Sequence, residues 1–350
     1  MVAALAIASV LAQVGCASAA SDTQCGPFGD PPAEIQTGFV ARHLATVVPA
    51  CYRGGKVVGP WRDSAGTNHY SCLYQPASAS PSKPLPLIVF LHGSIANADS
   101  VVLTNLLDFL STANLGAPGR GFILLAPQGR DTTHKYPSPD DEGLGWDNWY
   151  RQLNPAGDVT VAGVTYKENV DAAAIDHFID EQVATGKVDR KRIFLTGWSN
   201  GAAMAILYSL NRPQVASAAV YSAPDPFGAF QDPCEQKPVI NAPASNGEIQ
   251  VFNPHVPLMH VRNSCDIGGI CPNGLTLDAQ VRAIGGAIDD VIIDSDSNQV
   301  QSCEAVCGTN PDAGGDVPIA ASMRGLKNHV FWPKLWTARM LEFMKQHPLQ

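Results

Sequence analysis

The sequence predicts an α/β fold built on a mainly parallel, doubly wound sheet. Two observations lead there. Short, continuous apolar runs, several of them closed by Gly, recur from residue 85 onward, and segments with apolar residues at helical spacing alternate with them. An uninterrupted apolar run is the pattern of a strand buried on both faces, and a parallel sheet is made of such strands because its crossover helices cover both sides.

Residues 85–93, "LPLIVFLHG", form the first of these strands, and 121–129, "GFILLAPQG", repeat the pattern. Between them, 100–116 carry apolar residues at helical spacing up to Gly116, which predicts a helix with a glycine stop. Residues 169–186 predict a second amphipathic helix with Ile175, Phe178, Ile179 and Val183 on one side. A buried strand over 191–197 leads into a helix over 201–211; strands over 216–223 and 256–261 follow, and the run "VII" within 289–296 reads as another. The segment "PKLWTARMLEFMKQH" closes the chain with a helix. Upstream, residues 20–82 are a Cys-, Gly- and Pro-rich extension with one or two edge strands, and "ASASPSKP" (77–84) is a turn too short to separate domains. Residues 20–350 thus read as a single catalytic domain, in which the weakly patterned stretch 224–255 is a candidate lid or insertion and equally an ordinary surface excursion.

The first nineteen residues are apolar, uncharged and end in small side chains. Ala17-Ser18-Ala19 fits a signal-peptidase site, although the basic start of a secretory signal is missing. A lipoprotein reading through Cys16 is weaker, because Gln13 stands where Leu is expected. Export, to the exterior or the periplasm, is the expectation. Removing Cys16 from the nine cysteines leaves an even eight, which in an exported chain predicts up to four disulfides of undetermined pairing. Cys265-x5-Cys271 and Cys303-x3-Cys307 lack the companions a zinc site needs. The net charge of -9, with no Lys/Arg cluster, argues against nucleic acid or an anionic membrane surface as a partner. No stretch points to membrane insertion or to a protein partner.

The chemistry concentrates at Gly197-Trp198-Ser199-Asn200-Gly201. This G-x-S-x-G sequence lies between a predicted buried strand and a predicted helix, the context in which the motif makes a strained turn that lifts a Ser hydroxyl clear of the sheet. Ser199 is therefore the candidate nucleophile. A hydroxyl needs a base to take its proton and an acid to orient that base, and after such a turn both follow in the chain. Of the later histidines, His347 lies next to the end, His260 sits inside a strand, and His255 precedes that strand at the wrong end for a site at the carboxyl edge of a sheet. His329, ahead of the last helix, is the candidate base. Asp266, a few residues past the strand 256–261, is the candidate acid over Asp289, Asp290, Asp294 and Asp296, and Cys265 and Cys271 beside it suggest a disulfide-braced loop. The backbone N–H groups of Asn200 and Ser94 are candidates for binding an oxyanion, with Gly93 permitting the turn and His92 organising its loop.

Taken together, "PLPLIVFLHG", "LLAPQG", "WDNWY", the stretch 169–205 and "HVFWP" resemble secreted α/β-hydrolase esterases of the feruloyl esterase and polyhydroxybutyrate depolymerase group, over roughly residues 70–345. The resemblance implies a Ser199–Asp266–His329 triad that hydrolyses esters through an acyl-enzyme without metal or organic cofactor. It implies as substrate a hydroxyalkanoate polyester or oligomer, or alternatively a feruloyl ester. The chain departs from the group in three places: Ser94 follows "LHG" where Cys or another small residue is usual, Trp198 stands where Leu is commoner, and "RNSCD" replaces "HGxxD". No substrate-binding module follows before Gln350, so tight adsorption to an insoluble polymer is not expected. Trp146, Trp149, Trp198 and Trp332, with Tyr150, are candidates for an aromatic subsite, with core packing an equal account of at least half of them. A serine peptidase or amidase would share the triad; a non-catalytic polymer-binding relative would be expected to show a broken one.

Overall fold

The computed structural model describes residues 48–62, 68–94, 96–129, 145–146, 159–161, 164–166, 170–226, 251–267, 270–294, 298–303 and 323–350. The export segment 1–19, Trp149 and Tyr150, and most of the stretch 224–255 lie outside them.

Eleven strands are present among the described residues: β1 (Lys56–Arg62), β2 (Asn68–Tyr74), β3 (Leu85–Leu91), β4 (Ile123–Pro127), β5 (Val159–Val161), β6 (Val164–Tyr166), β7 (Val188–Gly197), β8 (Ser217–Tyr221), β9 (Leu258–Asn263), β10 (Ile288–Asp294) and β11 (Asn298–Val300). Nine of them form one sheet in the order β1-β2-β4-β3-β7-β8-β9-β10-β11, and β5 and β6 make a separate hairpin. From β4 to β10 every neighbouring pair is parallel, and β1, β2 and β11 add antiparallel edges. The α/β prediction therefore holds, with a sheet that is parallel at its centre.

Among the described residues, five helices of at least eight residues pack on the sheet: α1 (Val170–Ala184), α2 (Asn200–Ser209), α3 (Ile270–Ala283), α4 (Met323–Val330) and α5 (Thr337–Gln346). No helix among the described residues is long and apolar enough to cross a membrane. Every residue of β3 is buried, and its side chains alternate between two cores. Leu85, Leu87, Val89 and Leu91 join Ile175, Phe178 and Ile179 of α1 and much of α2, whereas Ile88 and Phe90 join Met340, Leu341 and Met344 of α5. Each such side chain contributes about 1.5–3 kcal/mol by leaving water. Burial on both faces is why β3 reads as an unbroken apolar run rather than an alternating one.

Two elements differ from expectation. Residues 100–116 do not form one helix: a 3-10 turn at Ala98–Leu103 and a single α-turn at Leu106–Phe109 replace it. The break is local chemistry. The Thr104 hydroxyl donates to the Val101 carbonyl at 2.7 Å and accepts from the Leu106 N–H at 3.2 Å, so the side chain takes over hydrogen bonds a continuous helix would make along its backbone. Helix α3 was not legible, because "ICPNG" places Pro272 and Gly274 in its first turns.

Gly274 has a packing reason. Below α3, strand β9 presents His260 and Arg262, both fully buried. Arg262 donates to Asp278 of α3 at 2.7 Å and lies 2.6 Å from Asp290 of β10, while His260 Nδ1 is 3.2 Å from Asp278. Burial alone would raise the Asp278 carboxyl, but the hydrogen bond of His260 and the neighbouring Arg262 guanidinium outweigh it and hold it below the usual range. Burial dominates at Asp290 and raises it against the opposing pull of Arg262. A Cβ on residue 274 would stand 2.9 Å from both Arg262 and His260.

Two disulfides have both ends among the described residues. Cys51–Cys72 fastens the chain ahead of β1 to β2, and Cys271–Cys303 joins the start of α3 to the segment after β11; Cys265 is also disulfide-bonded. Cys271 and Cys303 are therefore not free to ligate a metal.

Alanine in place of glycine in an open helix stabilises by about 0.5–1 kcal/mol. Gly274→Ala is expected to do the reverse and lower the melting temperature, because the new methyl group meets the buried Arg262–His260 pair. Calorimetry of the two proteins checks this, and a melting temperature at or above wild type would contradict it.

Candidate active site

Strand β3 is flanked by β4 on one side and β7 on the other, so the chain reverses its direction of winding there. Open α/β sheets bind ligands outside the carboxyl ends of their strands at such a switch point. Ser199 lies two residues beyond the end of β7, at that position.

Its backbone has φ 56° and ψ -124°, in the left-handed half of the map that a non-glycine residue adopts only when the surroundings enforce it. The two motif glycines are part of that enforcement. A Cβ at Gly197 would fall 2.4 Å from the Gly201 carbonyl oxygen, and one at Gly201 would fall 2.2 Å from the His92 carbonyl oxygen and 2.3 Å from that of Leu91. The turn closes only with hydrogen at both places. Helix α2 starts at Asn200 directly after Ser199, and its positive end faces the same space.

His329, Asp266 and Ser199 meet there. The His329 Nε2 atom is 2.8 Å from Ser199 Oγ, and Nδ1 is 2.7 Å from Asp266 Oδ1. Asp266 comes from the loop after β9, three residues past its end. His329, ahead of the last helix, stands in the last turn of α4. The Asp266 carboxylate is fully buried and receives the Ile267 N–H on Oδ1 at 2.7 Å and the Ser222 hydroxyl on Oδ2. The competing groups are elsewhere: Asp290 is held by Arg262, Asp289 and Asp294 lie on β10, and Asp296 lies outside the described residues. His255 bonds the Gly285 carbonyl and His347 that of Phe343.

The loop after β3 passes beside Ser199, since a Cβ on Gly93 would come 3.4 Å from Ser199 Cβ. His92 organises this loop. Its Nδ1–H donates to the Gly93 carbonyl at 2.8 Å, and Nε2 accepts from the Gly129 N–H at 2.9 Å. Full burial lowers its pKa to about 4, and the Gly93 hydrogen bond only partly opposes this. The ring is neutral at neutral pH. Trp146 ties the same loop to α2: its indole N–H donates to the His92 carbonyl at 2.8 Å, and its backbone N–H donates to the Asn200 side chain at 2.7 Å. Among the described residues, no acceptor is found for the backbone N–H of either Asn200 or Ser94.

Trp198 is buried, and its indole N–H donates to the His329 carbonyl at 2.7 Å, so the ring anchors the histidine. Trp332, also buried, donates to Thr337 and packs edge-on against Phe90 and Tyr221. Ser222, Tyr221 and Asn328 were not anticipated. The Tyr221 hydroxyl donates to the Asn328 carbonyl, and the Asn328 amide donates to the Cys265 carbonyl at 2.7 Å. No spacing rule marks these residues, which act through contacts between distant loops.

Residues 69–234 match a family described as esterase PHB depolymerase. That stretch, a little under half of the chain, is what it shares with the family. The chain resembles the feruloyl esterase and polyhydroxybutyrate depolymerase group, as the motifs indicate. No curated protein matches it. Similar solved structures include a thermostable esterase (15% identity, TM-score 0.44, 84% of this chain and 62% of that one). A ferulic acid esterase aligns at 14% identity and TM-score 0.46, over 69% of this chain and 90% of its own. Esterase 2 of Thermogutta terrifontis, phosphorylated by paraoxon, aligns at 13% identity and TM-score 0.43, over 69% and 83%. The chain thus spans less than two thirds of the first of these esterases.

His92 makes a pH prediction with a definite sign. Its folded-state pKa of about 4 is below the ordinary 6.5, so the unfolded chain binds the extra proton between these values. Its contribution is fully present above pH 6.5 and lost as pH falls toward about 4, roughly 3 kcal/mol in total. Denaturant titrations of wild type and His92→Asn across this range should show a shallower slope in the variant. Other titrating groups, Asp290 included, cancel in the comparison, and parallel slopes would refute the assignment.

Proposed function

We propose that this chain is an exported serine esterase in which Ser199 is the nucleophile, His329 the general base and acid, and Asp266 the orienting carboxylate. The observation that carries this reading is the continuous hydrogen-bonded line from Ser199 Oγ through both ring nitrogens of His329 to Asp266, at the carboxyl edge of the sheet.

In this mechanism, His329 Nε2 removes the Ser199 proton as Oγ attacks the ester carbonyl carbon. The imidazolium keeps its orientation because Nδ1–H stays on Asp266 and the backbone carbonyl is tied to Trp198. The carbonyl oxygen becomes an oxyanion, and the Asn200 and Ser94 N–H groups donate to it. Collapse of the tetrahedral intermediate breaks the bond to the alcohol, which leaves with the Nε2 proton. Water, deprotonated by the same nitrogen, then attacks the acyl-enzyme, and the acid product departs as the proton returns to Ser199.

The substrate we favour is a hydroxyalkanoate polyester or its oligomers, on the strength of the family match over 69–234. Export is supported by the disulfides, which persist in oxidising compartments, and by the small-residue site Ala17-Ser18-Ala19.

The test is hydrolysis of p-nitrophenyl acetate and butyrate, hydroxybutyrate oligomers and methyl ferulate by wild type and Ser199→Ala. Loss of the nucleophile should lower turnover by about 10⁴-fold or more. Oligomer cleavage ahead of methyl ferulate supports the polyester reading, and the reverse order replaces it with a feruloyl esterase. Equal background rates in both proteins would overturn the esterase mechanism.

A further inference from the structure

We infer that Ser222 is a positioning residue of the triad, its hydroxyl fixing the carboxylate of Asp266 and, through it, the ring of His329. The inference rests on the triad reading above and deepens it.

Ser222 lies one residue past the end of β8, fully buried, with φ 59°. Non-glycine residues in this left-handed region are few, and one here belongs to the site. The surrounding hydrogen bonds hold the conformation from several directions. The Tyr221 carbonyl accepts the N–H of Ser199 at 3.1 Å, the Ser222 N–H donates to the Val261 carbonyl at 2.8 Å, and the Ala223 N–H donates to His260 Nε2 at 3.2 Å. The end of β8 is thus clamped between the nucleophile turn and strand β9.

The conformation aims the hydroxyl at the acid. Ser222 Oγ donates to Asp266 Oδ2, while Oδ1 serves the Ile267 N–H and His329 Nδ1. Oγ also lies 3.1 Å from His329 Nδ1. A hydroxyl has one proton, and it is on the carboxylate, so Ser222 faces the ring with a lone pair. Two consequences follow. The carboxylate cannot rotate about its Cβ–Cγ bond without breaking a hydrogen bond on each oxygen. And Nδ1–H, while bonded to Oδ1, has a second, weaker acceptor beside it. Removing the hydroxyl would leave Oδ2 undersatisfied and make Asp266 the stronger acceptor, with its carboxylate held through Oδ1 alone.

The backbone and hydroxyl contributions separate with two variants. Ser222→Ala deletes the hydroxyl and keeps a side chain at φ 59°; Ser222→Gly deletes the hydroxyl and accepts that φ freely. If the hydroxyl positions the acid, both variants should lose kcat by about tenfold, the size of one hydrogen bond to a charged group, with KM little changed. In both, the downfield proton resonance of His329 Nδ1–H should move further downfield. Only thermal stability should distinguish them, Gly being the less destabilised. If Ser222 serves the backbone alone, Ser222→Gly will retain wild-type kcat and an unmoved resonance, which overturns the inference. The resonance does not depend on turnover. A wild type without Ser199-dependent activity would therefore sink the proposed mechanism, while the spectra would still decide the role of Ser222.

Discussion

The close approach of the β7–α2 turn to the end of β3 is the constraint on which the site depends. Gly201 sits beneath the carbonyls of Leu91 and His92 at a distance that leaves no room for a methyl group, and Gly197 meets Gly201 in the same way. Because the turn is that tight, Ser199 must take up its left-handed conformation, and helix α2 begins immediately behind it. The loop after β3 is then forced alongside Ser199, where His92 and Trp146 hold it. Packing thus sets the geometry, and the polar groups stabilise what packing has already selected.

Electrostatics acts one layer deeper, under the acid. Strand β9 carries a buried guanidinium only a few residues ahead of Asp266, and desolvating it is costly unless carboxylates are supplied. Asp278 and Asp290 supply them from α3 and β10, and His260 completes the group. This cluster locks β9 to its neighbours on one side, while the Cys271–Cys303 bond fastens the start of α3. The loop carrying Asp266 therefore departs from a strand that is rigid for reasons unrelated to catalysis.

What the sequence made legible follows a physical line. Apolar runs such as residues 85–91 have one reading, because a strand covered on both faces leaves no polar position. Ser199 was legible from the glycines either side of it, Asp266 from its place just past a strand and His329 from its place ahead of the last helix, and the fold brings the three within hydrogen-bonding distance. Helix α3 was not legible, since Gly274 answers to Arg262 on strand β9, and the break at Thr104 rests on the two hydrogen bonds its hydroxyl makes to neighbouring backbone. The indole of Trp198 looked like a pocket wall until its N–H was seen on the His329 carbonyl. Ser222 carried no signal at all: its role arises where β8 ends, between loops separated from it by 44 and 107 residues.

The end of β8 also bears on how such a chain can vary. Tyr221 receives the Ser199 N–H and reaches Asn328, the residue before His329, and Ser222 reaches Asp266. Asp266 and His329 are thus both moored to one short strand end. An exchange at residue 221 or 222 would therefore disturb the Ser199 turn, the Asp266 loop and helix α4 together.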